Sequence, residues 1–309
     1  MQKVTKDHYF YAFSKENQAS VKVESGSSLT IETYDCFKNQ ITSEDTVLEA
    51  MDWDQINPAT GAVYVKGAQP GDILKVKIEK IEMGDRGVMM VEPGLGVVGH
   101  RIKESEIKII PIHNDKAVFN EDISLPLNPM IGVIGVAPDD GAISNGTPGP
   151  HGGNMDTKLI TEGSTLYLPV FHEGALFGLG DLHAAMGDGE ISVSGIEIPG
   201  KVTVTLEVLI GSSIPYPFVE TDEGLAVIVS KETVDEAAKS AVEIMVDTFL
   251  PQTNLTLNEL TMLFSAAGQS QISQIVDPLM TARFFVPRYI VDKVGKPGFL
   301  SSGDEEVRG

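Results

Sequence analysis

Glu173–His183, "EGALFGLGDLH", carries the pattern that decides the fold. Ala175, Phe177, Leu179, Asp181 and His183 recur at period two, which puts them on one face of a β-strand. An apolar stripe thus ends in an acid and an imidazole, their Cα atoms about 6.5–7 Å apart at two residues of strand rise. The same device occurs in "SLTIETYDC", where Leu29, Ile31 and Thr33 lead to Asp35. A lone buried carboxylate is costly, so an acid at the inward end of a strand calls for a cation, a donor or solvent. Two strands that each deliver an acid on the core side predict a shared site. Two acids at solvent-facing strand ends are the plainer alternative.

Alternation of this kind runs through the first two thirds of the chain. It recurs in "DILKVKIEKIE" (Leu74, Val76, Ile78), "STLYLPVF" (Leu166, Leu168, Val170) and "KVTVTLEVLIG" (Val202, Val204, Leu206, Val208). Turn clusters separate these segments, among them "NPATG", "AQPGD" and "EIPGK". The longest, "APDDGAISNGTPGPHGG", predicts an irregular path of the kind binding loops take. The last third changes period. "TVDEAAKSAVEIMVDTF" opens on a capping-box pattern, Thr233 with Glu236, and then repeats apolar residues at helical spacing. "TLNELTMLFSAAG" does the same with Thr256 and Glu259, and Gly268 stops it. The chain reads as mainly β with C-terminal helices, an α+β class. A β-rich domain over 1–211 carries the site, an α+β subdomain over 212–299 packs on it, and 300–309 is a disordered tail.

Composition narrows the function. With 309 residues, 42% of them hydrophobic, the chain can bury a full core. A net charge of −21 argues against nucleic acid or an anionic membrane as partner. The single cysteine, Cys36, permits no internal disulfide and reads first as a small buried hydrophobe. The N-terminal "MQKVTKDHYFYAFSKENQ" has no apolar core of a signal peptide, and no segment is long and apolar enough to span a membrane, so a cytoplasmic protein is expected.

Three further clusters could carry chemistry. Past His183, Asp188 and Glu190 stand two apart around Gly189; a polar hairpin is the alternative. "GPHGGNMDTK" sets His151, Asn154 and Asp156 among Gly152 and Gly153, which let a backbone approach a ligand. His100 closes a glycine-rich loop. That loop, "GLGVVG", matches a dinucleotide-binding pattern but leads into "HRIKESEIKIIPI", a strand rather than the helix that such a site needs. Asp, Glu and His together suit Zn²⁺ or similar ions, whereas carboxylates with carbonyls suit Ca²⁺.

These residues resemble a known family. "GPHGGNMDT" followed by "GALFGLGDLHAAMGDGE", together with "INPATGAVYVKGAQPGDIL", "TYDCFKNQI" and "LTLNELTMLFSAAG", is similar to the acetamidase/formamidase family, in the family's order, from about residue 1 to about residue 295. The resemblance implies hydrolysis of short aliphatic amides such as acetamide and formamide to carboxylate and ammonia. It also implies a layered β/β/α architecture, a metal-dependent site and a homodimer or higher oligomer. Asp35, Asp181, His183 and Glu190 stand where the family's recurrent acids and His stand.

The resulting hypothesis gives Asp35, Asp181 and His183 a Zn²⁺-like ion, with Ca²⁺ as a candidate in addition. Glu190 is a further ligand or the general base, and Asp156 a support or an alternative ligand. Asp35, His183 and Glu190 are the expected catalytic groups. His151, Gly152, Gly153, Asn154 and His100 are expected to bind the amide. A Ser–Ser–Lys amidase lacks its Gly/Ser-rich signature here, and a nitrilase-type site lacks the contexts for its Glu and Lys. The competing class is a Ca²⁺-stabilised β-protein that binds a small ligand without turnover.

Overall fold

Two β-sheets lie face to face, and helices cover the outer face of one of them. The computed structural model describes residues 2–301. Its first sheet has nine strands in the order Gln2–Val4, Ser27–Thr33, Gly200–Leu209, Ile73–Met83, Thr165–Pro169, Phe218–Thr221, Gly224–Lys231, Met280–Pro287 and Gln269–Gln274. The second has eleven. Its central strands are Arg86–Val91, Glu197–Ile198, Phe177–His183 and Met130–Gly135, with Gly152–Asn154 at the end beyond Met130–Gly135 and Ala59–Val65 branching from Phe177–His183.

Period-two alternation builds the sandwich. Leu74, Val76, Ile78, Leu166, Leu168, Val202, Val204 and Leu206 of the first sheet pack against Ile131, Ile134, Phe177, Leu179 and Leu182 of the second. In the strand Gly224–Lys231, Ala226 and Ile228 join that core, while Leu225, Val227 and Val229 turn to the helices. Helix α1 (Val234–Phe249) answers with Ala241, Met245 and Phe249, and α2 (Leu257–Ala267) with Leu260 and Phe264. Both begin at the threonines expected to cap them: the Thr233 and Thr256 side chains accept from the N–H groups of Glu236 and Glu259. The layered β/β/α arrangement is therefore present.

The segment after residue 212 does more than pack on a finished domain. Thr165–Pro169 pairs with Phe218–Thr221 in the register Leu166↔Val219, and three more strands then extend the first sheet. A ladder edge left by the first part is satisfied by the second, so one sheet crosses the expected boundary. Residues 302–309, most of the expected tail, lie outside the described residues.

A third cover matters for function. Cys36, Phe37, Ile41 and Leu48, from the segment after Ser27–Thr33, pack on Val88, Met90 and Ile107. Those belong to the face of the second sheet turned away from the sandwich core. The loop after "GLGVVG" leads into a strand, Glu106–His113, as the pattern required.

The α2 cap is a local test of this frame. Thr256 accepts from the Glu259 N–H at 3.2 Å and Glu259 accepts from the Thr256 N–H at 2.8 Å. Thr256→Ala is expected to lower stability by about 1 kcal/mol in denaturant titration, and Thr256→Ser to retain most of it.

Candidate active site

The stripe that opens the strand Phe177–His183 does not run to its end. Phe177 and Leu179 join the sandwich core, and then Leu182 and Ala184 do so. The alternation changes phase at Asp181, whose φ is +54°. One left-handed residue hands the core position to Leu182. Asp181 and His183 are thereby freed from the core side, where they were expected, and join the acids under the segment that carries Cys36. Among side chains the αL conformation suits Asp and Asn best, and each such residue costs about 1 kcal/mol or more unless its surroundings hold it.

The surroundings are other acids. His183 pairs across the sheet with Glu197, and its Nε2 lies 3.2 Å from Glu197 Oε1. The same nitrogen is 3.5 Å from Asp181, 3.8 Å from Asp156 and 3.9 Å from Glu190. Asp277, from the turn between the last two strands of the first sheet, presses on Asp156 and Glu190 and accepts from Asn154 Nδ2 at 3.1 Å. Asp156, Asp181, Glu190, Glu197 and the imidazole are buried, and Asp277 is half-buried. Asp156 and Glu190 also have positive φ, +42° and +45°. Three left-handed acids in one cluster mark a site whose geometry is imposed from outside.

Two glycines make the approach possible. A Cβ on Gly132 would stand 2.5 Å from Asp156 Oδ1 and 2.6 Å from Asp181 Oδ2. A Cβ on Gly195 would stand 2.5 Å from His183 Nδ1. The turn that delivers Glu190 is stapled to the first sheet. The Gly189 N–H donates to Ser273 O at 2.8 Å, and the buried Arg283 holds Asp188 through both carboxylate oxygens at 3.0 and 2.8 Å. Lys158 adds a contact to Asp188 at 2.9 Å. Asp188 is thus a brace and stands apart from the cluster. Arg283 also donates to Ser273 Oγ, which accepts from Thr157 next to Asp156.

Charge in this enclosure is shared unevenly. Burial pushes the Glu197 carboxyl up to about 8, against the pull of His183. Burial likewise raises Asp156 to about 6, and it drives Glu190 and Asp277 well above the ordinary range with Asp156 as a repelling neighbour. For Asp181, burial is outweighed by the attraction and hydrogen bond of His183, so its pKa falls. For His183, burial is outweighed by Glu197 and Asp181, so the imidazole holds its proton strongly. Both oxygens of Asp156, Oδ1 of Asp181, Oε2 of Glu197 and Oδ1 of Asn154 are buried with no hydrogen-bond partner. So many unpartnered acceptors in one place have the donor chemistry of a cation site. Two groups have ligand atoms within 4.8 Å of one another: Asp156, His183 and Glu190, and Cys36, Asp181 and Glu197.

The other expected residues fall elsewhere. Asp35 is buried but sits past its strand in a tight turn, where it accepts from the Asn39 N–H at 2.6 Å; burial still lifts it to about 6. It is in neither ligand group. Cys36, past the end of the strand at Thr33, lines the cavity above the acids. Burial and then Glu197 and Asp181 push its thiol well up, which disfavours a nucleophilic thiolate. The Gly152 N–H is spent on Gly149 O at 3.1 Å, and Gly152 and Gly153 form a strand beside Gly135 and Ile134. His151 is buried edge-on against Phe13, and burial lowers it to about 4. His100 is exposed in the short turn Gly99–Arg101. Of the five expected substrate contacts, Asn154 faces the cavity.

Glu197 and Asp277 were missed. Each had a faint signal: an acid inside an apolar run closed by proline, "GIEIPG" and "QIVDPLM". An acid flanked by apolar residues on a two-residue strand is inward-facing on one side of a sheet, but a run that short shows no period.

Comparison with known proteins agrees with this fold. A family model described as the acetamidase/formamidase family matches residues 4–147 and 140–293. A solved structure described as a predicted acetamidase/formamidase from the thermophile Thermoanaerobacter tengcongensis superposes with a TM-score of 0.93 at 50% identity, covering 95% of this chain and 97% of that one. A solved Bacillus halodurans acetamidase gives 0.93 at 45% identity, over 95% and 99% of the two chains. The formamidase of Methylophilus methylotrophus is 25% identical over 241 residues, 59% of each chain. A Schizosaccharomyces pombe relative is matched over 60% of its length, so the chain spans about three fifths of these curated relatives.

Gly132→Ala is expected to force Asp156 and Asp181 apart and to abolish function, whereas Gly187→Ala, with nothing within 4 Å of the new carbon, is tolerated. Stability of chelator-treated protein should depend on pH with a defined sign. Glu197, at about 8 when folded, and Asp156, at about 6, keep protons that the unfolded chain has lost above about pH 4. Their contribution is therefore present at low pH and is lost as pH rises through those values. The melting temperature should fall between about pH 5 and about pH 8; a rise over that window contradicts the assignment.

Proposed function

The chain belongs to the acetamidase/formamidase family, and from that membership we propose that it cleaves the C–N bond of a small primary amide at the His183 cluster, releasing carboxylate and ammonia. The observation that carries the proposal is the convergence of Asp181, Glu190, Glu197, Asp277 and Asn154 on the floor of one cavity.

Asp156, His183 and Glu190 are the residues we assign to a divalent ion. One nitrogen and two carboxylate oxygens suit Zn²⁺; Ca²⁺, which takes six to eight oxygens, is served less well by a set with an imidazole. When bound, such an ion supplies the Lewis acid that a weakly electrophilic amide carbonyl needs.

The remaining steps fall to the chain's own groups. Asn154 Nδ2 is held by Asp277, and its unpartnered Oδ1 is the acceptor we assign to the amide N–H. Glu197 uses Oε1 on His183 and keeps Oε2 unpartnered in the cavity. It is the suited shuttle, taking a proton from attacking water and giving it to the departing nitrogen. A carboxyl near neutral pKa does this best. His183, fixed by Asp181 and Glu197, would give up its proton to hold the ion, whose charge would then balance the acids. Cys36 closes the wall and takes no nucleophilic part.

Ammonia release from acetamide and formamide is the direct assay. Chelation is expected to abolish it and Zn²⁺ to restore it, with elemental analysis giving the ion and its stoichiometry. Asp156→Asn should lose bound metal and activity together. Glu197→Gln should keep the metal and lose roughly 10²–10⁴ in kcat. If chelation only lowers the melting temperature, and no amide is turned over at any metal concentration, the ion is structural and the protein is a binding module.

A further inference from the structure

The cavity has two unlike halves. Its floor is acidic, and one wall rises through Phe37 and Met90 to Trp53, Ile56 and Leu95. The first two are buried, and the last three are 36%, 37% and 43% exposed. Single exposed apolar side chains are ordinary on a protein surface. Three large ones at one mouth, above a floor of carboxylates, are not scattered: they extend an apolar wall outward from the place where an amide would sit. Water gains nothing from such a wall, and a charged or polar acyl group would be desolvated against it without a partner. The volume points the same way. The cavity measures about 330 Å³, room for roughly eleven waters at about 30 Å³ each, several times what acetamide with its four non-hydrogen atoms fills.

We propose that the preferred substrate of this site carries an apolar acyl group larger than methyl, held by Phe37, Met90, Trp53, Ile56 and Leu95 while the amide lies on the acidic floor. The inference rests on the amidase reading of the same site and names its substrate class. The geometry gives each residue a part. Phe37 and Met90 meet the carbons nearest the carbonyl. Ile56 and Leu95 meet the far end of the acyl group, and Trp53 closes the mouth. Trp53 is itself held in place by its indole N–H, which donates to Leu48 O at 3.2 Å. Ser144, Gly146 and Thr147, small residues, also line the cavity.

Two readouts test the proposal on the full-length, metal-replete protein. The first is kcat/KM for formamide, acetamide, propionamide, butyramide and isobutyramide by ammonia release. Each added methylene should raise it by roughly tenfold until the wall is filled, the lower end of what a hydrophobic pocket yields. The second needs no turnover. Trp53 is the chain's only tryptophan, so its emission reports occupancy of the mouth. Butyramide and butyrate should shift that emission to the blue, and acetamide and acetate should not. Leu95→Ala should cut the butyramide-to-acetamide ratio by about tenfold with no change in melting temperature, and Leu95→Ile should restore it.

If kcat/KM falls from acetamide to butyramide and Trp53 emission ignores both, the acyl proposal is overturned while amide hydrolysis stands. If butyramide shifts the emission and no amide releases ammonia, the apolar wall is upheld and the amidase reading fails. If neither readout responds, both are overturned.

Discussion

Mutual repulsion among four buried carboxylates and the half-buried Asp277 around one imidazole is the constraint on which the rest of this structure depends. Asp156, Asp181, Glu190, Glu197 and Asp277 cannot all ionise in a space closed to water unless positive charge joins them. His183 supplies one such charge, which is why Asp181 stays acidic while its neighbours are driven up. The unpartnered oxygens show how much the single imidazole leaves uncompensated. Placing the acids there costs backbone strain at three of them. A frame stiff enough to hold that strain is therefore needed.

The frame is the pair of sheets and the tie between them. The second sheet brings Asp181, His183 and Glu197 side by side through ladder register, a geometry fixed by backbone hydrogen bonds and largely indifferent to side-chain charge. The first sheet contributes from a distance. Its last strands carry Asp277 and, through Arg283, Ser273 and Gly189, fasten the turn that bears Glu190. A buried Arg–carboxylate fork gives direction as well as attraction, so the turn is held in angle as well as position. The site is thus assembled across the sandwich rather than on one sheet. It follows that the C-terminal segment has to complete the first sheet before the acids can meet.

Position in the layers accounts for the asymmetry of the cavity. The site opens on the face of the second sheet that the segment carrying Cys36 and Phe37 covers. That cover is apolar because it packs on Val88, Met90 and Ile107, and its outer residues carry the same character to the mouth. One insertion between two strands thereby covers the acids and contributes Phe37, Trp53 and Ile56 to the apolar side of the cavity. Insulation strengthens every electrostatic term within.

Much of this was legible in the sequence, and the reason differs from part to part. Alternation and capping patterns named the strands, the two helices and the β-rich character, because they record local contacts between each residue and its own backbone. The residues of "GDLHAAMGDGE" and "GGNMD" pointed to the site, since buried acids beside glycines have few other uses. The sequence also placed Asp35 with the ligands, where the structure spends it on a turn, and passed over Glu197 and Asp277. Those assignments hang on a phase flip at Asp181, on cross-strand register and on contacts between residues about 120 apart in the chain. No local pattern encodes such contacts. The chain by itself determined which elements form and which chemical types are present. Only the tertiary structure decided which acids converge, because repulsion among them is overcome solely when both sheets are closed around them.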